Sequence, residues 1–251
     1  MFEVAANAYD AFMGRYSSLL APQLTDLAGV AAGQRALDVG CGPGALTSEL
    51  VRRLGADHVA AVDPSASFVE AARQRHPGVD VRKATAEALP FPDAAFDAAL
   101  AQLVVHFMAD PVGGLREMHR VTRRDGVVAA CVWDHAGAKG PLGLFWAAAR
   151  ALDPAVVDES DLPGTREGHL AELFDAAGLR DVRSSTVVAH VEYPSFEAWW
   201  EPYTRGVGPA GAYVARLEDA ARDRLRSECR ARMPEGRITI DAMAWVARGV
   251  A

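Results

Sequence analysis

Three glycines at alternate positions, Gly40, Gly42 and Gly44, stand directly behind the apolar run "ALDV" in this chain of 251 residues. Residues without a Cβ at a turn from strand into helix let a ligand touch the backbone. Because "GCGPGA" satisfies the relaxed dinucleotide fingerprint G-x-G-x-x-G/A, the glycines alone leave a pyrophosphate and a phosphate-free ligand both open. Asp38 separates them. An ionised carboxylate two places before the first glycine would repel a pyrophosphate on the helix N-terminus and welcome a cation. Its plainer role is to tie the loop by accepting backbone N–H bonds. Asp63 ends a second apolar run, "AAVD", where one carboxylate can accept from two vicinal hydroxyls. His106, leaving another such run, is the first candidate for a general base, since an ordinary imidazole titrates near neutrality. Its alternative is local packing beside Phe107 and Met108. Asp134 and His135 are second candidates, and His169 in "REGHL" a third.

The elements that must hold these residues follow from periodicity. Short apolar runs predict strands at 35–40, 58–63, 79–83, 96–101 and 127–133, alternating with helical segments, as in a parallel sheet covered on both faces. Leu46, Leu50, Val51 and Leu54 form one helical stripe closed by Gly55. In "PSASFVEAARQRHPG", Ser67 and Glu70 stand at capping-box spacing, with His76-Pro77-Gly78 as the stop. Asp110 and Pro111 read as N-cap and first helical residue. Farther on, helices are expected at 141–151, 167–177, 195–204 and 211–232, and strands at 181–192 and 237–248.

Composition narrows the partners. With 26 basic against 33 acidic residues, a net charge of −7 supplies no broad basic field for a nucleic acid, and a small molecule fits better. Cys41, Cys131 and Cys229 lie far apart without metal-ligand spacing, which points to a reducing compartment with no disulfide framework, and no metal is expected. No signal peptide or membrane span is read, so the expected location is cytoplasmic.

"ALDVGCGPGALT" resembles the first motif of the class I S-adenosylmethionine-dependent methyltransferases (the methyltransferase type 11 and ubiquinone-menaquinone methyltransferase group), and four later blocks agree in order. "AAVDPSASFVEAAR" is similar to the family's second strand, which implies Asp63 on the ribose hydroxyls with Pro64 and Ser65 beside it. "ATAEALPFPDAAFD" resembles the adenine-proximal loop, placing Ala86 and Glu87 next to the base. "ALAQLVVHFMADP" resembles the exit of the fourth strand, with Gln102 near the methionine part and His106 near the methyl group. "REMHRVTRRDGVVAACVWD" matches the following helix, turn and strand. Upstream, "AYDAFMGRYS" resembles the segment that closes over the cofactor, making Tyr9 a contact and Arg15 a partner for the cofactor carboxylate. The loop residues Asp38, Gly40, Cys41 and Gly42 complete the implied cofactor set. Two departures stand out: Thr85 replaces the acid that many relatives place on the adenine amino group, and "RRDG" replaces the usual Lys-Pro-Gly-Gly turn.

The resemblance implies an α/β, Rossmann-like class I methyltransferase fold: a seven-stranded, mostly parallel sheet with helices on both faces and helical additions in the C-terminal half. One domain over 1–251 is expected, divided into an N-terminal helical cap (1–30), a cofactor-binding core (31–134) and a C-terminal half (135–251) carrying acceptor-site helices and the last two strands. The implied cofactor is S-adenosylmethionine. The implied acceptor is a small metabolite modified on oxygen or carbon, since the Asn/Asp-Pro-Pro-aromatic motif for base or glutamine amines and the acidic metal cluster of catechol enzymes are both missing. Trp199, Trp200 and Tyr203, with Trp133 and Trp146, are candidate pocket walls; of the paired tryptophans, one is expected in the core and one at the pocket. A monomer or homodimer is expected. Two other readings remain: a cyclase, isomerase or binding protein using S-adenosylmethionine without methyl transfer, and an NAD(P)-binding oxidoreductase.

Overall fold

Alternation at period two builds the sheet. In the computed structural model, which describes residues 6–251, all four residues of β1 (Ala36–Val39) are buried. Leu37 and Val39 enter one apolar cluster and Ala36 the other, as a strand covered on both faces requires. The same doubly buried character marks β2 (Val59–Asp63) and β4 (Phe96–Gln102). With β3 (Asp80–Lys83), β5 (Thr122–Trp133), β6 (Arg180–Tyr193) and β7 (Ile238–Val250) they form one seven-stranded sheet of order β3-β2-β1-β4-β5-β7-β6. The first five strands are parallel, and β7 runs antiparallel to both β5 and β6. β1 pairs with β2 on one side and β4 on the other, so the chain order reverses there. Ligands of such sheets bind beyond the strand carboxyl ends at this reversal.

Helices close both faces. On one side α2 (Arg15–Ala28) buries Tyr16, Leu20 and Leu24, and α3 (Ala45–Leu54) buries Leu46 and Leu50. A short α1 (Ala6–Tyr9) enters α2 through a π-helical turn, Asp10–Gly14. α4 (Ala66–Arg75) packs beside β2 and β3. On the opposite face α5 (Pro111–Val121) contributes Leu115, Met118 and Val121, and α7 (His169–Ala176) contributes Leu170 and Phe174. The aromatic residues of α6 (Gly143–Leu152) and α8 (Phe196–Trp200) join the first cluster, as do α9 (Gly208–Arg216) and α10 (Asp219–Ala231). The first five residues of the expected N-terminal cap lie outside the described residues.

Four local expectations are corrected. Ser65, not Ser67, caps α4: its extended backbone lets its hydroxyl accept from the Phe68 N–H, and Ser67 falls inside the helix. The stretch 211–232 is two helices, because Leu217 and Glu218 are extended and turn the chain so that Val214 and Leu225 both reach the core. After α8 the expected helix tightens into a 3-10 turn, Glu201–Arg205, led by Pro202, whose ring cannot supply an N–H to a continuing helix. β5 starts at Thr122, five residues early, where Thr122 pairs with Phe96 across an irregular register. Asp110 does cap α5, accepting from the Gly113 N–H at 2.9 Å.

Candidate active site

A cavity of about 800 Å³ opens at the carboxyl ends of β1, β2 and β4. The glycine loop forms its floor. Gly40 and Cys41 donate their N–H groups to the Val62 carbonyl at 2.8 and 2.9 Å, which pins the loop to β2. Gly40 has φ +72°, and a Cβ there would sit 2.4 Å from a Val104 methyl, so no other residue fits. Gly42, at φ +53°, meets no close neighbour, so its constraint is backbone conformation. The buried thiol of Cys41 is pushed well up by desolvation, which leaves it an unreactive wall.

Two acids flank this loop. Asp38 faces α3 rather than the opposite layer, and its Oδ2 accepts from the Thr47 hydroxyl at 2.6 Å. Its Oδ1 is buried without a partner. Burial pushes its carboxyl up to about 7, against the pull of the Thr47 bond, with the nearby Asp63 charge adding to the rise. The carboxylate expected to be ionised is thus held about neutrality, and a cation beside it would favour the charged form. Asp63 accepts from the Gly42 N–H at 2.9 Å and the Ser65 N–H at 2.8 Å, one per carboxylate oxygen. Each oxygen keeps a further lone pair for a ligand hydroxyl. Pro64 and Ser65 also line the cavity.

Along the wall lie Lys83, Thr85, Ala86 and Glu87. Glu87 is already engaged, its Oε1 accepting from the Ala109 and Asp110 N–H groups at 2.8 and 3.3 Å. Gln102 donates to the Ser17 carbonyl at 3.0 Å, while its Oε1 and the Ser17 hydroxyl have no partner. Leu103 follows in a left-handed conformation, φ +62°, a strain typical of ligand-facing turns. Tyr9 lines the cavity edge-on to Phe68, at 5.3 Å between centroids. Arg15 is corrected: it lies outside the cavity lining, its Nε donates to the Ala11 carbonyl at 3.1 Å, and its guanidinium stacks over Tyr193 at 4.7 Å. The helical turn that aims Tyr9 inward turns Arg15 toward β6.

The far end is lined by Phe12, Trp133, Leu142, His106, His135 and a loop carrying Asp158, Glu159 and Leu162. His106 is 4% exposed with Nδ1 unpartnered; burial, helped by His135 at 5.8 Å between ring centroids, drives its pKa well below the ordinary value. The near-neutral titration expected of it is lost, because an imidazolium cannot be solvated there. Burial also lowers His135, to about 4. Asp134 instead braces its own loop, Oδ1 accepting from the Gly137 N–H, and His169 accepts from the Gly164 N–H; neither lines the cavity. Trp199 and Trp200 are both core, as is Tyr203, stacked on Phe145 at 4.6 Å; the expected division of the tryptophans fails because both their helix and the 3-10 turn after it sit under the same aromatic cluster.

Sequence reasoning missed Asp158 and Glu159. Glu159 is 3% exposed, its Oε2 unpartnered, and burial pushes its carboxyl up to about 7, with the Trp146 indole N–H drawing it back and Asp158 raising it. Asp158 pairs with Arg150 and accepts from the Ser160 N–H at 2.8 Å. The only signal was a short acidic run, Asp158, Glu159 and Asp161, between Val157 and Leu162 in a segment without period. Unpartnered buried oxygens at Asp38, Gln102 and Ser17 beside a loop that tolerates no side chain at Gly40 suit a nucleoside with a cationic amino-acid tail. Among the described residues there is no group of three or more His, Cys, Asp or Glu able to hold a metal, and no helix long and apolar enough to cross a membrane.

Sheet order and glycine loop give the Rossmann-like fold of the class I S-adenosylmethionine-dependent methyltransferases, and residues 37–130, a little over a third of the chain, match the family model described as "Methyltransferase domain". Among curated relatives, it is 35% identical over 127 residues to a malonyl-[acyl-carrier protein] O-methyltransferase of Erwinia billingiae, covering 51% of this chain and 49% of that one. It is 33% identical over 155 residues to the demethylmenaquinone methyltransferase of Renibacterium salmoninarum, covering 61% and 64%. The match thus spans about half of the first relative and under two thirds of the second. A solved structure from Thermotoga maritima, described as a SAM-dependent methyltransferase, possible histamine N-methyltransferase, shares the fold at TM-score 0.58 and 21% identity, covering 97% of this chain and 94% of that one.

Proposed function

We propose that the protein transfers a methyl group from S-adenosylmethionine to an oxygen or carbon of a small metabolite. The observation that carries this reading is the placement of Asp38 and Asp63 on either side of the glycine loop, inside one cavity at the strand reversal. Asp38, buried beneath the loop, opposes a pyrophosphate and suits a cation. In this reading Asp63 receives the ribose hydroxyls, Ala86 and Glu87 lie beside the adenine, Gln102 and Asp38 hold the methionine part, and Tyr9 covers it. Bound there, the cofactor supplies an electrophilic methyl group on sulfur. The chain's own work is to hold the acceptor in line, exclude water and receive a proton where one is released. Orientation alone is worth on the order of 7–11 kcal/mol in such reactions. His106, neutral and buried, orients the acceptor rather than carrying charge.

Calorimetric titration with S-adenosylmethionine, S-adenosylhomocysteine and NAD tests the reading. Both sulfur nucleosides are expected to bind and NAD to be ignored. Asp63→Ala removes two loop bonds and the hydroxyl acceptor together, so it should weaken nucleoside binding about 10- to 100-fold, and Gly42→Val should act in the same direction. NAD uptake, or unchanged affinity in both variants, would overturn the assignment.

A further inference from the structure

The end of the cavity beyond the glycine loop has a distinctive charge character. Among the described residues lining the whole cavity, Lys83 is the only lysine or arginine. It ends β3, while His135 and the loop with Glu159 lie past β5. Four strand spacings separate those two strands, about 19 Å. At the far end the charged and titratable neighbours are Asp158, already paired with Arg150, the neutral imidazoles of His106 and His135, and Tyr203. An anionic group entering here would meet no counter-cation and would lie against Glu159, a large cost in a buried setting.

Glu159 itself is the second observation. It is 3% exposed, lines the cavity and has an Oε2 that makes no full hydrogen bond, the Trp146 indole N–H beside it being likewise unsatisfied while still favouring the ionised carboxylate. His106 repeats the pattern, buried, lining and unpartnered at Nδ1. Buried polar atoms are almost always satisfied, so two unsatisfied groups on residues that line one cavity point to a ligand that completes them. The remaining walls, Phe12, Trp133, Leu142 and Leu162, suit a flat apolar body.

We propose that Glu159 is the proton acceptor for the methyl acceptor, and that the acceptor's reacting group is an uncharged phenolic or enolic hydroxyl, oriented by His106. This rests on the methyl-transfer reading. As the hydroxyl oxygen forms its bond to the methyl carbon, the carbon–sulfur bond breaks with its electron pair remaining on sulfur, and the hydroxyl proton passes to the Glu159 carboxylate. A sulfonium and a carboxylate become a thioether and a carboxylic acid, so charge is annihilated inside the cavity rather than created.

The test uses the protein saturated with S-adenosylhomocysteine and three probes of one shape, 4-methylphenol, 4-methylanisole and 4-methylbenzoate, at about pH 8, where the Glu159 carboxyl, held at about 7, is ionised and the phenol is not. The phenol should bind at least about tenfold tighter than the anisole, because a site built to pair a hydroxyl rejects the analogue that lacks a donor. The benzoate should bind weakest. In Glu159→Leu the phenol should fall to the anisole's affinity while the affinity for S-adenosylhomocysteine stays unchanged; should that variant not fold, Glu159→Gln should lose part of the same preference. The proposal is overturned if the benzoate matches the phenol, if the phenol's advantage survives at position 159, or if a protein that binds S-adenosylhomocysteine takes up no phenol. Failure to bind S-adenosylhomocysteine at all overturns the underlying methyl-transfer reading instead.

Discussion

Asp38 sits where a cationic ligand would do the work that water does elsewhere. Its carboxyl faces the Thr47 hydroxyl, the Asp63 charge and the Cys41 thiol, and burial holds it at about 7. An ammonium group arriving at the loop favours the ionised form and draws that value down. Binding below about pH 7 therefore releases a proton, and affinity should rise by up to about tenfold per pH unit before levelling off above that point. Calorimetry of S-adenosylhomocysteine in buffers of different ionisation heat reads the proton directly, and Asp38→Asn should flatten the slope. A pH-independent affinity in the unaltered protein contradicts the role. Asp38 and Asp63 were legible from sequence because each is an acid at or next to the end of a short, continuously apolar run that reads as a strand buried on both faces. Glu159 was not: the stretch from 153 to 168 has no period, and its burial comes from the closure of that loop over the cavity, a tertiary event.

At the scale of elements, the strands that form the site were the most legible part, since residues buried on both faces leave continuous apolar runs. Helix ends were less so, because two serines, Ser65 and Ser67, offer the same capping chemistry and only the chain's entry angle chooses between them. The break at Leu217 carries no glycine or proline and is set by what α9 and α10 pack against. The N-terminal run illustrates how one element serves another. Arg75, at the end of α4, donates to Asp10 in the π-helical turn at 2.5 Å and to the Pro43 carbonyl of the glycine loop at 2.9 Å. One side chain thus ties the segment carrying Tyr9, Phe12 and Met13 to the cavity floor. Both partners of the ion pair are about one third to two fifths exposed, so solvent screening keeps the link weak, on the order of 0.5–1 kcal/mol. Arg75→Ala should accordingly speed dissociation of S-adenosylhomocysteine about two- to fivefold in stopped flow, with little change in melting temperature. An unchanged off-rate would detach the turn from ligand retention.

For the molecule as a whole, the cavity's titratable groups pull stability in opposite directions with pH. Asp38 and Glu159 hold their protons in the folded state to about 7, whereas the unfolded chain loses them near 4. Between those values the folded state binds more protons, so these two acids make stability fall as pH rises, and the loss is complete somewhat above 7. His135, held down at about 4, acts the other way: the unfolded chain takes up its proton below about 6.5 while the folded chain does not, so stability falls as pH drops through that window. His106 is displaced in the same direction. The two effects offset one another on the acid side, leaving the carboxyls exposed as a net cost only near and above neutrality. Glu159→Gln removes one of them without changing shape. It should therefore raise the melting temperature at about pH 8 by a few degrees, corresponding to roughly 1–2 kcal/mol after allowance for water in the cavity, and leave it nearly unchanged at about pH 5. Equal shifts at both pH values would mean that packing, not ionisation, explains the effect, and that the acid is not held against its charge for use by a ligand.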